Sequence, residues 1–290
     1  MKTDPIRSFD RIGIIGAGKA GTTLGRYLAL AGKKIAGIYS RTRQSADEAA
    51  TFIGTNVFDD LSGLVEVSDV LFITTPDEQI AGVWQQIRNC PLQGRLVCHF
   101  SGSLSSHVFS DIREFGGYGA SVHPMFAFSD KFTAYRQFHT ANLTIEGQEQ
   151  AVALLKKEWQ ALGHQVFTLA PEDKMKYHAA ASLASNAMVA LMQVSADLME
   201  ECGFKQQEIR TLLDPLIEGN VRKMLDTDPV KALTGPIERG DERTVRGHLQ
   251  ALQGTQAISV YESLAPVMLA LAQKKNPDRD YRALEELLKP

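Results

Sequence analysis

The stretch that most constrains the fold is RIGIIGAGKAGTTLG, from Arg11 to Gly25. An apolar run (Ile12, Ile14, Ile15) enters Gly16-Ala17-Gly18-Lys19-Ala20-Gly21, and a helical pattern through Leu24, Leu28 and Leu30 leaves it. Strand, glycine turn and helix are the context in which G-x-G-x-x-G reads as a dinucleotide-binding turn. Gly16 permits the tight turn, Gly18 carries no Cβ to block a pyrophosphate, and Gly21 lets the helix approach the strand. The helix start offers free N–H groups and the positive end of its dipole to phosphates. The alternative is a structural turn in another α/β protein.

The next strand, Lys34 to Tyr39, ends at Ser40-Arg41-Thr42-Arg43. A carboxylate at this distance from the glycines would accept from a ribose 2′-hydroxyl, whereas arginine suits a 2′-phosphate. With Ser40 and Arg41 here and no acid, the spacing predicts NADP rather than NAD. In the alternative, both arginines are solvated loop residues.

Composition narrows the setting. With 290 residues the chain has length for about two domains. At 44% hydrophobic and 22% charged, with net charge −3, it predicts a globular protein with neither nucleic acid nor membrane as partner. No apolar run reaches the ~18 residues of a membrane span, and MKTDPIRSFD lacks a secretory h-region. Cys90, Cys98 and Cys202 form no C-x-x-C and read as reduced thiols, so the expected location is cytoplasmic. No residue is assigned to a metal.

Further strands are expected at Asp69–Thr75, Arg95–Phe100, Tyr118–Val122, Asn142–Ile145 and Gln165–Leu169, alternating with helices. That order predicts a doubly wound, mostly parallel sheet. Polar residues gather just past strand ends, where open α/β sheets bind ligands. Thr75 and Pro76 would line the cofactor, with Asp77 also available to cap the next helix. Ser101 and Ser103 can donate to a substrate carboxylate or carbonyl, or Ser103 can cap a helix. His123 is either a substrate contact or a structural imidazole.

Beyond Ala170 no strand pattern recurs. The expected boundary gives a Rossmann domain over 1–170 and an all-helical substrate and dimerisation domain over 171–290. One helix from about Glu172 to Cys202 would span on the order of 45 Å, and its Ala, Leu and Met content predicts a homodimer. Lys174, His178, Ser182 and Asn186 recur every four residues along one slowly turning face. Lys174 or His178 is a candidate general acid, with Asn186 and Ser182 toward the substrate. Arg239, in the turn-rich Ala232–Asp241, is a candidate for a substrate carboxylate or a loop brace.

Taken together, the glycine turn, Ser40-Arg41, Thr75-Pro76-Asp77, His99-Phe-Ser-Gly-Ser103, His123-Pro124, Tyr177-His-Ala-Ala-Ala181, Ser185-Asn186 and Leu233-Thr-Gly-Pro-Ile-Glu-Arg-Gly-Asp241 resemble one bacterial family. It pairs a Rossmann-like domain with a C-terminal helical domain of unknown function. It is similar to the wider group with 6-phosphogluconate dehydrogenase-like helical domains, including ketopantoate and pyrroline-5-carboxylate reductases. The resemblance implies a commonly dimeric NADP-dependent reductase, and some similar members act as alternative ketopantoate reductases. The hydroxyacid dehydrogenases of that group carry Lys, three residues, then Asn on this helix. Here His178 follows Lys174 and Asn186 lies farther on, so either Lys174 with His178 or His178 with Asn186 takes the role.

The expected activity is hydride transfer from NADPH to the carbonyl of a small oxo acid, with ketopantoate the named candidate, in the oxidoreductase class acting on alcohols and carbonyls. The alternatives are a pyrroline-carboxylate-type imine reductase and a non-catalytic NADP-binding sensor.

Overall fold

Strand β1 (Arg11–Ile15) shows why the sheet forms as it does. Its side chains alternate, so Ile12 and Ile14 join a core containing Phe72 and Trp159, while Ile15 joins one containing Leu71 and Trp84 on the other face. Strand β3 (Val70–Ile73) repeats the division, with Val70 and Phe72 on one face and Leu71 and Ile73 on the other, all fully buried. Apolar residues on both faces are the signature of a parallel strand covered on both sides.

The structure, a computed structural model, describes residues 5–289. The first unit ends at Ser182 and the second begins at Leu183. The first holds a seven-stranded sheet in the order β2-β1-β3-β4-β5-β6-β7. Its other strands are β2 (Lys34–Tyr39), β4 (Leu96–His99), β5 (Tyr118–Met125), β6 (Asn142–Gly147) and β7 (Val166–Thr168). Its helices are α1 (Lys19–Leu30), α2 (Arg43–Ile53), α3 (Leu61–Val67), α4 (Asp77–Ile87), α5 (Glu149–Ala161) and α6 (Lys174–Ser182). β1 to β5 run parallel, β6 runs antiparallel to β5, and β7 runs parallel to β6. The mostly parallel doubly wound expectation holds, with the last two strands reversed. Strand order switches direction between β1 and β3, and the glycine turn sits at that switch, where ligands of such sheets bind.

The expected boundary at 170/171 shifts to 182/183. The physical reason is polar anchoring: Lys174 and Tyr177 of α6 hydrogen-bond to residues of β4's exit loop, β5 and β6. The expected single helix is also modified. Helical residues run from Pro171 to Glu201, but a π turn over Leu183–Ala187 interrupts them. That turn breaks the four-residue ladder between Ser182 and Asn186. This run is long and apolar enough to cross a membrane by length and composition.

Taken by itself, the second unit continues with α7 (Met188–Glu201), α8 (Gln206–Asp226), α9 (Pro229–Ala232), α10 (Pro236–Arg239), α11 (Glu242–Ala251), α12 (Ala257–Lys275) and α13 (Arg282–Leu287). Its core gathers Ile237, Val245, Ala265, Leu269, Ala272, Tyr281 and Leu284. Asp241 caps α11 by accepting from the Thr244 amide at 3.1 Å.

Candidate functional site

The glycine turn has the shape its sequence predicts. Gly16 adopts φ +115°, a backbone conformation that a side chain would strain. A Cβ on Gly21 would fall 2.1 Å from the Gly16 carbonyl oxygen, so only glycine lets α1 start this close to β1. Gly18 faces open space, with nothing within 4 Å of a Cβ placed there. Thr74, a residue the sequence reading passed over, donates its hydroxyl to the Gly16 carbonyl at 2.9 Å and pins the turn. The amides of Gly18, Lys19 and Ala20 have no backbone acceptor among the described residues, as expected for the first turn of a helix.

A cavity of about 420 Å³ opens beside this turn. Gly16, Ala17, Gly18, Ser40, Arg41, Thr75 and Pro76 of the predicted set line it, and Lys19 and Ala20 follow in the first turn of α1. Arg41 is exposed at the end of β2. Arg43 is not available in the same way, because its guanidinium is paired with Asp47 (2.9 Å) and Asp59. These residues suit a dinucleotide carrying an extra phosphate: helix-start amides and an arginine past the second strand, all without a partner among the described residues, and an open glycine.

A second polar cluster lies past the ends of β4 and β5, and its centre is Lys174. Lys174, a candidate general acid from its place on the helix face, is only 2% exposed. Its ammonium donates to the Ser101 carbonyl at 2.8 Å and the Ser121 hydroxyl at 2.5 Å. Burial pulls its pKa down to about 8, against the opposing pull of Glu146 and Asp77, so it is mainly charged at neutral pH. The correction is physical: leaving these acceptors would strand a buried carbonyl. Lys174 therefore holds the Ser101-Gly102-Ser103 loop from beneath.

The serines are bound as well. Asp77 does not cap α4, where no side-chain cap is made. Its carboxylate accepts instead from Ser101 Oγ (2.6 Å) and Ser103 Oγ (2.9 Å). Ser101 Oγ in turn accepts from the amides of Ser103 and Leu104. Ser103 caps no helix. His99, fully buried, takes the Ser101 amide on Nδ1 and faces the Ser105 carbonyl with Nε2, 3.2 Å away. Burial and the Lys174 cation lower its pKa to about 4.

His123 lies inside β5, opposite Thr144 of β6. Its Nδ1 is 2.9 Å from the Tyr177 hydroxyl, which also lies 2.7 Å from Thr144 Oγ1. Burial, Lys174 and His178 push the His123 pKa down to about 4. His178 of α6 faces it, with ring centroids 5.9 Å apart. Gly102 lies beneath both rings: a Cβ there would come 2.4 Å from His178 Cδ2 and 2.7 Å from His123 Nε2. His123, His178, Ser101 and Ser103 are thus brought together. Ser182 closes α6, partly exposed. Asn186, 3.0 Å from the Ser185 hydroxyl, and the exposed Arg239 belong to the second unit.

Asp77, His99, Tyr177 and Thr144 were not expected in site roles. Asp77, His99 and Tyr177 carried a signal, as members of motifs quoted for the family resemblance; Thr144 carried none.

Residues 4–124 match a Rossmann-like domain, and residues 141–267 match the domain of unknown function DUF2520. The chain thus matches a Rossmann-like model and then a DUF2520 model, in the order expected from the sequence. No curated protein matches the chain. Among solved structures, BF3122 of Bacteroides fragilis, described as an NADP oxidoreductase, is 27% identical with TM-score 0.71, over 90% of this chain and 98% of that one. TM1727 of Thermotoga maritima is 26% identical with TM-score 0.74, over 91% and 99%. An imine reductase from Pseudomonas, 16% identical with TM-score 0.63 over 91% and 97%, shares the fold. The DUF2520 match begins on the Rossmann sheet, at β6, and carries Thr144, Lys174, Tyr177 and His178.

Proposed function

We propose that this chain is an NADPH-dependent reductase of a small oxo acid, with ketopantoate the first substrate to test. The observation that carries the reading is the exposed Arg41 beside unpaired α1 amides at the mouth of the 420 Å³ cavity. The amides of Gly18, Lys19 and Ala20 would bind the pyrophosphate, and Arg41 with Ser40 the 2′-phosphate. When bound, NADPH supplies the hydride. The similarity to BF3122, described as an NADP oxidoreductase, supports this cofactor.

On the protein side, His178 and His123 stand as donors to the heteroatom of the substrate, above a backbone at Gly102 that carries no side chain. Ser101 and Ser103 are already committed to Asp77, so they shape the floor. The buried Lys174 ammonium places a positive charge under that floor, which favours a developing alkoxide over an iminium cation. That charge favours a carbonyl over the C=N chemistry of the imine reductases and of the Coxiella burnetii pyrroline-5-carboxylate reductase that share the fold.

The test is NADPH oxidation against 2-oxo acids, including ketopantoate, and cyclic imines. We expect turnover of an oxo acid, lowered about 100-fold or more in His178→Ala. Turnover of imines alone would replace the carbonyl reading. Tight NADPH binding with no turnover of either class would favour a sensor. We further propose a homodimer through the second unit, where Val189, Leu212, Leu216 and Leu225 are exposed. Sedimentation of a monomer at micromolar concentration would overturn that.

A further inference from the structure

We propose that Thr144, Tyr177 and His123 form a hydrogen-bond relay that fixes His123 with its ring proton on Nε2, presented over Gly102 beside His178 to the substrate heteroatom. The inference deepens the reductase reading and rests on it for the identity of the acceptor. It assigns Tyr177 and Thr144 as positioning residues.

The relay follows from counting protons. Thr144 Oγ1 has one proton and two oxygens in reach, Tyr177 Oη at 2.7 Å and the His123 carbonyl at 3.3 Å. The shorter distance is the usual O–H···O length and the longer one lies outside it, so the proton goes to Tyr177. The tyrosine hydroxyl is then free to donate its own proton to His123 Nδ1 at 2.9 Å. A neutral imidazole that accepts on Nδ1 carries its proton on Nε2. That nitrogen has no acceptor among the described residues and points to the space where a Gly102 side chain would stand. The strand register sustains the arrangement, since Thr144 is the antiparallel partner of His123. The Tyr177 ring meets His123 edge-on at 88°, which fixes the imidazole plane as well as its proton.

The deciding measurement is long-range 1H–15N NMR of the full chain labelled with 15N-histidine, with His123→Asn used to assign the His123 signals. We expect His123 as the neutral Nε2–H tautomer, and in Tyr177→Phe a shift toward Nδ1–H or a mixture. Thr144→Val, which leaves the tyrosine ring in place, should move the tautomer in the same direction. The His99 signals report whether the fold is kept. A proton on Nδ1 in the unaltered chain, or a tautomer unmoved by both substitutions, overturns the relay. In turnover, Tyr177→Phe should lower kcat at least about tenfold with little change in KM for NADPH; an unchanged kcat would overturn the donor role of His123. The tautomer result decides the relay even in a chain that reduces nothing, so failure of the reductase reading is seen separately.

Discussion

At the residue scale, the proposed cofactor side rests on Arg41, an exposed cation with no partner among the described residues. Arg41→Ala should weaken NADPH binding by about 1.5–3 kcal/mol, the worth of a charged hydrogen bond, and leave NADH binding unchanged. Fluorescence titration of the two nucleotides measures this, and an equal loss for both would assign the 2′-phosphate elsewhere. Lys174→Met tests a different role. Because the ammonium holds the Ser101 carbonyl and Ser121 hydroxyl from a buried position, its removal should cost about 1–3 kcal/mol of stability and loosen the serine loop. A variant with unaltered melting that loses only activity would return Lys174 to the general-acid role for which it is a candidate. Sequence could name Lys174 but not its burial. Spacing along a helix tells which residues share a face, and tells nothing of what that face meets.

At the element scale, the β1–turn–α1 unit was legible because all its determinants are local. Apolar residues, three glycines and a helix lie within one short stretch, and each glycine does the expected job. Gly21→Ala should therefore be poorly tolerated. The added methyl meets the Gly16 carbonyl at 2.1 Å and Thr74 Oγ1 at 2.4 Å, forcing α1 away from the turn. We expect reduced soluble yield, or a lower melting temperature with nucleotide binding lost; wild-type melting with intact binding would contradict the close approach. The reversal of β6 and β7 was not legible. Between β5 and β6 the chain makes two 3₁₀ turns, at Ala134–Arg136 and Phe138–Thr140, instead of a crossover helix, and the direction of the next strand follows from how that connection packs. Asp77 shows the same limit. A local capping rule applies at its position, but two serine hydroxyls from another loop compete for the carboxylate and win.

At the scale of the whole molecule, three imidazoles whose pKa is lowered chiefly by burial, His99, His123 and His164, tie stability to pH. His99 and His123 are held at about 4, whereas in the unfolded chain they would titrate near the ordinary value of about 6.5. Between these values the unfolded chain binds more protons, so stability rises with pH and is lost on acidification from about pH 6.5 toward 4. Trp84 and Trp159 are both fully buried in the first unit, so their fluorescence follows its unfolding. The urea midpoint should fall between about pH 7 and about pH 5, and His99→Gln should flatten the slope. A midpoint constant over that range would mean that none of these imidazoles is held neutral.

The two clusters of the first unit are built from different elements. The cavity beside the glycine turn draws on β1, the end of β2 and the start of α4, while the imidazole pair comes from β5 and α6. Asp77, next in sequence to Pro76 yet bonded to the serine loop, links them. On the proposed reading, coenzyme preference can therefore be rewritten at Ser40 and Arg41, by drift or by an engineer seeking a cheaper electron donor, while the cluster around Gly102 stays intact.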